Sequence, residues 1–567
     1  MKTDTASGQF KKHSFLHEIL WCLGALVLCI CCGVVLMYGS YKLPLAPIQQ
    51  HARESLPNFS EDHPSYDYWA PWYHVARLDM TTDATMIREA VYDTGMGTLK
   101  SSMLNMMPIY IQKDSTQKQA SDSSVEPEFP SATDLREYLA SEEDQNPDLD
   151  EYSTMYGRYW HGYLIFLKPL LMKFSLSQIR IINVSVILLL LGWAIFEISR
   201  KGNWIALSGF LLAVAVINPV SASLSMQYVN SMVLMLIGTA IMFRKELWKT
   251  NDSWKLFLFM GIGSAFFDFL TYPLVTLGIP LALGVFMNYT QSLKTMIGKS
   301  LNSCICWAVG YGGMWAGKWV AGSLLTGTNL IANGLNRAAM RTNGGEAVEE
   351  HVSLLETFQL NWDTAFIDVM KWIIIFVLIA TLCWLLWKKV KPARNSMFWL
   401  LAVISLFPFA WYIVLNNHSW HHFWMTYRIL AVFVCSGYLA IFSFFQKGIL
   451  ARKKTELQTM LQQADSDLDW LEGKTSVKPD ELAGDLTPET NLKNSSKTIR
   501  THQKSSRSNP AWLERTGAFT LYVLQKADCF CHIRDDLRRI PLITERLAIQ
   551  KWVLPLSEIK GSVPDRS

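Results

Sequence analysis

The chain has 567 residues, half of them hydrophobic, with 22 Trp, 28 Phe and 20 Tyr, and a formal charge of only +4. A soluble core would spread its apolar residues at helix or strand period, but here they gather into runs of roughly 17 to 25 residues, the length that spans a bilayer core. Backbone groups in lipid must bond internally, so these runs read as helices. No Walker loop is present and no feature points to nucleic acid.

In chain order, Lys2, Lys11 and Lys12 precede the apolar run Ile19 to Met37. A secretory signal begins similarly, but Cys29-Ile30-Cys31-Cys32 continues into more apolar residues without a small-x-small cleavage site, which predicts a retained first helix. Further runs fall at about 181–199, 203–219, 224–243, 256–270, 272–288, 300–325, 364–387, 396–415 and 427–446. Arg200-Lys201, Arg244-Lys245, Lys294 with Lys299, Lys388-Lys389-Lys391 and Arg452-Lys453-Lys454 all fall on one side of about ten helices, satisfying the positive-inside bias. The opposite side carries residues 39–158, with 20 Asp/Glu against 9 Lys/Arg. Tyr159 to Phe174 is apolar enough to enter the membrane, but a span there would invert every later loop. It is placed as a re-entrant or interfacial helix, edged by Tyr156, Tyr159, Trp160 and Tyr163.

The expectation is an all-α membrane protein with a large extracytoplasmic first loop, multi-pass in the cytoplasmic membrane, both termini cytoplasmic. Its parts are 1–38 (N-terminus and first helix), 39–175 (acidic loop with interfacial helix), 176–446 (multi-pass domain) and 447–567 (cytoplasmic tail). Within the tail, 453–510 is polar and reads as disordered or loosely helical. Residues 511–553 read either as a basic amphipathic helix on the inner leaflet or as a helical pair packed on the protein itself. The ten cysteines avoid the outer loops, so no disulfide is expected there. Cys529-x-Cys531 is too sparse for a metal site, and the sequons at Asn58 and Asn417 are weak.

Ionisable groups in membrane helices are expensive, so they mark candidate sites. Asp268 and Thr271 meet Pro273 where two helices join near the outer surface, reading as a cavity-lining break or as a tight capped turn. His418, His421 and His422 with Arg428 lie at the outer mouth of the last hairpin. His418 and His422 share a helical face, and Arg428 could hold a phosphate. A wet interfacial belt is the plainer alternative. Asp79 and Asp83, four apart in the first loop, could act as a base or a metal pair; the ordinary alternative is a solvated helix start, capped by Thr81 or Thr82 with Asp83 in its first turn. Arg158 and His161, among Tyr and Trp, could contact a headgroup or a sugar, or anchor the interfacial segment. Metal dependence is left open, with a divalent ion as the cofactor to consider.

The layout resembles the GT-C glycosyltransferases, which take sugars from polyprenyl-phosphate donors. Arg158-Tyr159-Trp160-His161 through Lys168-Pro169-Leu170-Leu171, then Ser177-Gln178-Ile179-Arg180, follows their order of loop, interfacial helix and returning helix. The Arg-Tyr-Trp-His-Gly-Tyr, Asp-Phe-Leu-Thr-Tyr-Pro-Leu and Asn-His-Ser-x-x-His segments are also similar to ones in multi-pass membrane proteins of Gram-positive bacteria. The resemblance covers residues 15–446 as architecture. It implies transfer of a sugar from a lipid-linked donor to a cell-envelope glycan or lipid acceptor on the outer face. An acidic residue (Asp83 or Asp79, with Glu61-Asp62 as the other pair) would be the base; His418, His422, Arg428, Arg158, His161, Asp268 and Thr271 would bind donor phosphate or substrate. The segment Thr326 to Glu350, with Arg337 and Arg341, would be a lid. The rival readings are a transporter or flippase of lipid-linked saccharides and a non-catalytic scaffold. The lack of an internal repeat and the few mid-helix charges count against transport.

Overall fold

The computed structural model describes residues 4–59, 66–70, 74–113, 131–140, 145–288, 291–342 and 352–449, with short helical stretches between 452 and 466. Glu61-Asp62, Cys529-x-Cys531 and the amphipathic reading of 511–553 lie outside the described residues. Two units separate: Arg200–Gly202 with Thr455–Ser567, and everything else. The larger unit holds the first loop and the helical bundle.

The chain starts with α1 (Asp4–Ser40) and α2 (Leu45–Ser55). The first loop then builds a small layer from β1 (Tyr66–Tyr68), β2 (Arg77–Asp79), α3 (Met80–Val91), α4 (Thr98–Leu104), β3 (Met106–Gln112), α5 (Ser131–Leu139) and β4 (Leu149–Met155). The chain is mostly helical, as expected, and this layer adds two antiparallel ribbons, β1 with β2 and β3 with β4. Their residues alternate too briefly along the sequence to stand out as strands.

The Asp79 side chain caps α3 by accepting from Thr82 N at 2.9 Å. Met80, Ala84, Ile87 and Val91 bury one face of α3, while Arg88 forms a buried ion pair with Asp134 of α5. Asp134 also accepts from Tyr110 N in β3 at 3.1 Å, which ties α3, α5 and β3 together.

Tyr159 to Phe174 forms only the eight-residue α6 (Leu164–Leu171), with Pro169 inside it. At 1.5 Å per residue it reaches roughly 12 Å, far short of a bilayer core.

The bundle continues as α7 (Leu176–Arg200), α8 (Trp204–Ile217), α9 (Pro219–Leu224), α10 (Met226–Arg244), α11 (Ser253–Phe267), α12 (Val275–Met287) and α13 (Leu293–Thr326). After it come α14 (Leu330–Arg341), α15 (Leu354–Ala365), α16 (Asp368–Trp387), α17 (Met397–Ser405), α18 (Phe407–Val414), α19 (Asn416–His421), α20 (Phe423–Thr426) and α21 (Leu430–Ser443).

Among the described residues six helical segments are long and apolar enough to cross a membrane: His17–Ser40, Leu176–Arg200, Met226–Arg244, Val369–Trp387, Met397–Val414 and Phe423–Ser443. Trp204–Ile217, Ser253–Phe267 and Val275–Met287 are shorter apolar helices. All ten predicted runs lie on helix, some of it interrupted. Pro408, which donates no backbone hydrogen bond, begins α18 after the break at Leu406.

Two packing devices position what matters. Along α11 and α13 glycines let the backbones touch: a Cβ on Gly261 would overlap the Trp307 carbonyl, and one on Gly310 the Leu258 carbonyl. A core cluster then joins the first helix, the loop layer and the bundle, through Met37 of α1, Ile87 of α3, Leu167 of α6, Leu258 of α11 and Met314 of α13. Polar contacts gather at two opposite ends. At one, Arg244 meets Glu197 at 3.0 Å, Asn288 meets Trp248 O, and Gln446 meets Phe286 O. The first-loop layer occupies the other.

Candidate functional site

At the loop end of the bundle a cavity of about 480 Å³ opens between α12, α13, α14 and α18. Its walls are apolar and aromatic, including Leu274, Leu277, Tyr311, Trp315, Phe407 and Trp411. Three arginines are also among the residues that line it: Arg158, Arg337 and Arg341. Lining residues on α13 extend from Trp319 to Cys304, fifteen positions and so roughly 22 Å of helix, against a hydrocarbon core of roughly 30 Å. The cavity is a long apolar slot, with cationic groups contributed by the turn before α6 and by α14.

α14 reaches the slot because α13 ends at Gly327, whose φ of +74° is open to glycine without strain. The chain folds back, Asn329 caps α14 by accepting from Ala332 N, and Gly334 sits so close to Trp319 that a Cβ would overlap the indole. The predicted lid segment therefore begins as a helix seated on α13.

Arg341, in the last turn of α14, donates to His418 Nδ1 at 2.9 Å and to His422 Nε2 at 2.7 Å. His418 Nε2 in turn donates to Leu270 O at 2.8 Å. Both rings accept from a cation, so both are neutral in this arrangement, with the proton of His418 on Nε2 and that of His422 on Nδ1. Burial, and then the Arg341 charge, holds both histidines well below the ordinary value of 6.5. The sign follows from proton counting. An unfolded chain takes up protons at these rings below about pH 6.5 and the folded one does not, so stability is lost as pH falls through that range. The melting temperature in detergent is expected to fall between about pH 7 and about pH 5, and to fall less in His418→Gln/His422→Gln. An equal pH slope in that variant and wild type would refute the assignment.

Leu270 sits at φ +66°, and the Asp268 turn holds it there. Asp268 accepts from Ser231 Oγ at 2.9 Å, from Thr271 N at 2.8 Å and from the Thr271 hydroxyl. Asp268 and Thr271 thus form a closed turn after α11. They reach the site through Leu270, which lines the cavity and accepts from His418.

The other predicted residues separate. Arg428 is buried away from the cavity walls, donating to Ile217 O at 3.0 Å and Trp424 O at 2.6 Å and stacking 4.0 Å above the Tyr228 ring. Those contacts hold α8, α10 and the break before α21 together. Asp79 Oδ2 accepts from Trp424 Nε1 at 2.9 Å, and the Trp424 ring lies 5.4 Å from that of His422, so Trp424 links Asp79 to His422. Asp83 has other partners: it pairs with Arg180 of α7 at 3.0 Å and accepts from Met226 N at 2.9 Å. Burial pushes Asp83 up to about 6 against the pull of Arg180. Among the described residues no three His, Cys, Asp or Glu side chains converge as a metal site would need.

Arg158 lines the cavity and lies 4.2 Å above the Tyr156 ring, whereas His161 serves a different cluster. His161 Nδ1 lies 2.7 Å from Glu89 Oε2, deep under the loop layer. Around Glu89 the structure assembles groups that sequence reasoning missed. Tyr163 donates to it, Tyr41 lies 3.4 Å away, and Lys318 of α13 reaches Asn105 at 2.8 Å. A lysine near the end of a predicted membrane helix was the one available signal. No protein-family model, curated protein or solved structure matches the chain.

Proposed function

We propose that this chain is a GT-C-like membrane glycosyltransferase that binds a polyprenyl-phosphate sugar donor in the slot and passes the sugar to an envelope glycan or lipid acceptor. The observation that carries the reading is the slot itself: three arginines among the residues lining an apolar cavity that follows α13 from Cys304 to Trp319. An anionic headgroup suits the guanidinium forks, and a hydrocarbon chain suits the remaining wall.

The reading places about ten helices across the cytoplasmic membrane, with both termini inside and the loop layer outside. The basic clusters and the two ends of the bundle support that orientation. Arg341, backed by His418 and His422, stabilises the departing phosphate together with Arg158 and Arg337. Asp79, adjacent to His422 through Trp424, takes the proton from the acceptor hydroxyl as that oxygen attacks the anomeric carbon and the carbon–phosphate oxygen bond breaks. Asp83 holds α3 on α7 and α10 by its pair with Arg180.

Membranes containing wild type, Asp79→Asn or Asp83→Asn are to be given a radiolabelled polyprenyl-phosphate-sugar pool. Asp79→Asn is expected to lose transfer by about 10²–10⁴-fold at equal protein level, the range for a general base. Asp83→Asn is expected to lose folded protein instead, with transfer per folded molecule retained. Full transfer by Asp79→Asn would remove it as the base and return the role to Asp83. No transfer by wild type across several donors would favour the flippase reading.

A further inference from the structure

Glu89 has no part in that chemistry, yet with Asp83 it is one of two fully buried carboxylates described in the first loop. It is wholly buried on α3, with Tyr163, His161 and Tyr41 all directed at it. Burial alone would raise its pKa, but the His161 charge and the hydrogen bonds from His161 and Tyr163 outweigh it and hold Glu89 below the ordinary value of 4.5.

His161 is held in an uncommon way. Its φ is +53°, a region costly for a residue with a Cβ. Its ring faces acceptors on both sides, the Glu89 carboxylate at Nδ1 and the Tyr156 carbonyl at Nε2, 3.0 Å away. The His161 ring thereby pins the Tyr156 carbonyl, so the turn from Tyr156 to His161 closes on itself. The Arg158 guanidinium lies over the Tyr156 ring at 4.2 Å and over that of Tyr159 at 5.5 Å. The far side of the turn is anchored to the bundle: Trp160 Nε1 donates to Met314 O at 2.7 Å, Trp319 Nε1 to Arg158 O at 2.9 Å, and Gly162 N to Phe266 O at 2.9 Å.

We infer that Glu89 is a positioning residue for the cavity: through His161 it fixes the Tyr156–His161 turn and so sets Arg158 at the cationic end of the slot. This rests on reading the slot as a lipid-phosphate site. Glutamine in place of Glu89 puts a neutral amide where the carboxylate faces His161 Nδ1, so that contact weakens and the ring's hold on the Tyr156 carbonyl, and with it the strained φ, loses its support.

The test uses the purified full chain in detergent with farnesyl phosphate as probe, binding being read from the fluorescence of the cavity tryptophans. Glu89→Gln is expected to weaken binding roughly tenfold, as for loss of one ordered charge–phosphate contact. Glu89→Gln/Arg158→Ala is expected to bind no more weakly than Arg158→Ala alone, since both changes remove the same contact. Glu89→Gln/Arg337→Ala is expected to be additive. Hydrogen exchange of peptide 156–163, measured without any ligand, is expected to speed up in Glu89→Gln while the helices of the bundle stay protected. Additivity with Arg158→Ala, or unchanged exchange in that peptide, would overturn the inference. If wild type does not bind the probe, the lipid-phosphate reading fails, and the ligand-free exchange still decides whether Glu89 holds the turn. Should Glu89→Gln not fold, His161→Asn removes the ring while tolerating positive φ, and carries the same two readouts.

Discussion

Replacing Arg341 by alanine is expected to weaken prenyl-phosphate binding about 100-fold, since a bidentate charge-assisted pair contributes about 3 kcal/mol. The effect is larger than for an exposed arginine because two neutral histidines hold the guanidinium at the slot without neutralising it. Arg341→Lys keeps the charge but not the planar fork. A lysine cannot serve both histidines and a phosphate in one plane, so only partial recovery is expected. Equilibrium binding in detergent, followed by tryptophan fluorescence, measures this directly. Equal affinity in wild type and Arg341→Ala would remove the cationic end of the slot from the proposed site. Because the substitution also unties α14 from α19, its thermal melt is the control that separates lost affinity from lost fold.

The second large effect is expected at a residue with no polar chemistry. Gly310→Ala should cost about 3 kcal/mol, the upper end for overpacking, because the new Cβ meets the Leu258 carbonyl rather than a movable side chain. Gly312→Ala, two positions along the same helix, meets nothing within 4 Å. It should stabilise by up to about 1 kcal/mol through helix propensity. Opposite signs at the two glycines, read as melting temperatures of the purified chain, would establish that α11 and α13 touch through their backbones. Similar shifts at both would mean that they do not. Since α13 supplies much of the slot wall, Gly310→Ala should also blunt binding, whereas Gly312→Ala should leave it alone.

The helices were legible in the sequence because a bilayer imposes a one-dimensional rule: a long apolar run must close its own hydrogen bonds. That rule located every bundle run, and the alternation of basic clusters kept Tyr159 to Phe174 from counting as another span. It could not find β1 to β4. Their three- and seven-residue strands lie in a mixed-polarity loop, and β3 is stabilised by pairing with a segment far along the chain. The break at Pro408 was also passed over, since an apolar run containing one proline still scores as continuous.

Residue chemistry was legible where it is local. The four-residue spacing of His418 and His422 does place them on one side, and Arg158 does stand at the start of the interfacial segment. Their roles depended on distant partners. Arg341 is 77 positions from His418 and was read only as part of a lid, yet it is the group those histidines hold. Asp79 and Asp83 looked like a pair by spacing, but Trp424 and Arg180 claim them separately. Arg428 looked like a phosphate ligand because an arginine at a helix start usually is exposed; here the backbone carbonyls freed by the helix breaks occupy it.

By itself, then, the sequence determined the helical runs and the residue types available at the loop end, because length and hydropathy act within a single segment. Only the tertiary structure decided which cations share a cavity, which carboxylates are tied up in ion pairs, and that Glu89 meets His161. Those outcomes turn on contacts between residues tens to hundreds of positions apart, where glycine-mediated backbone approach and a single strained turn set the geometry and no periodicity records it.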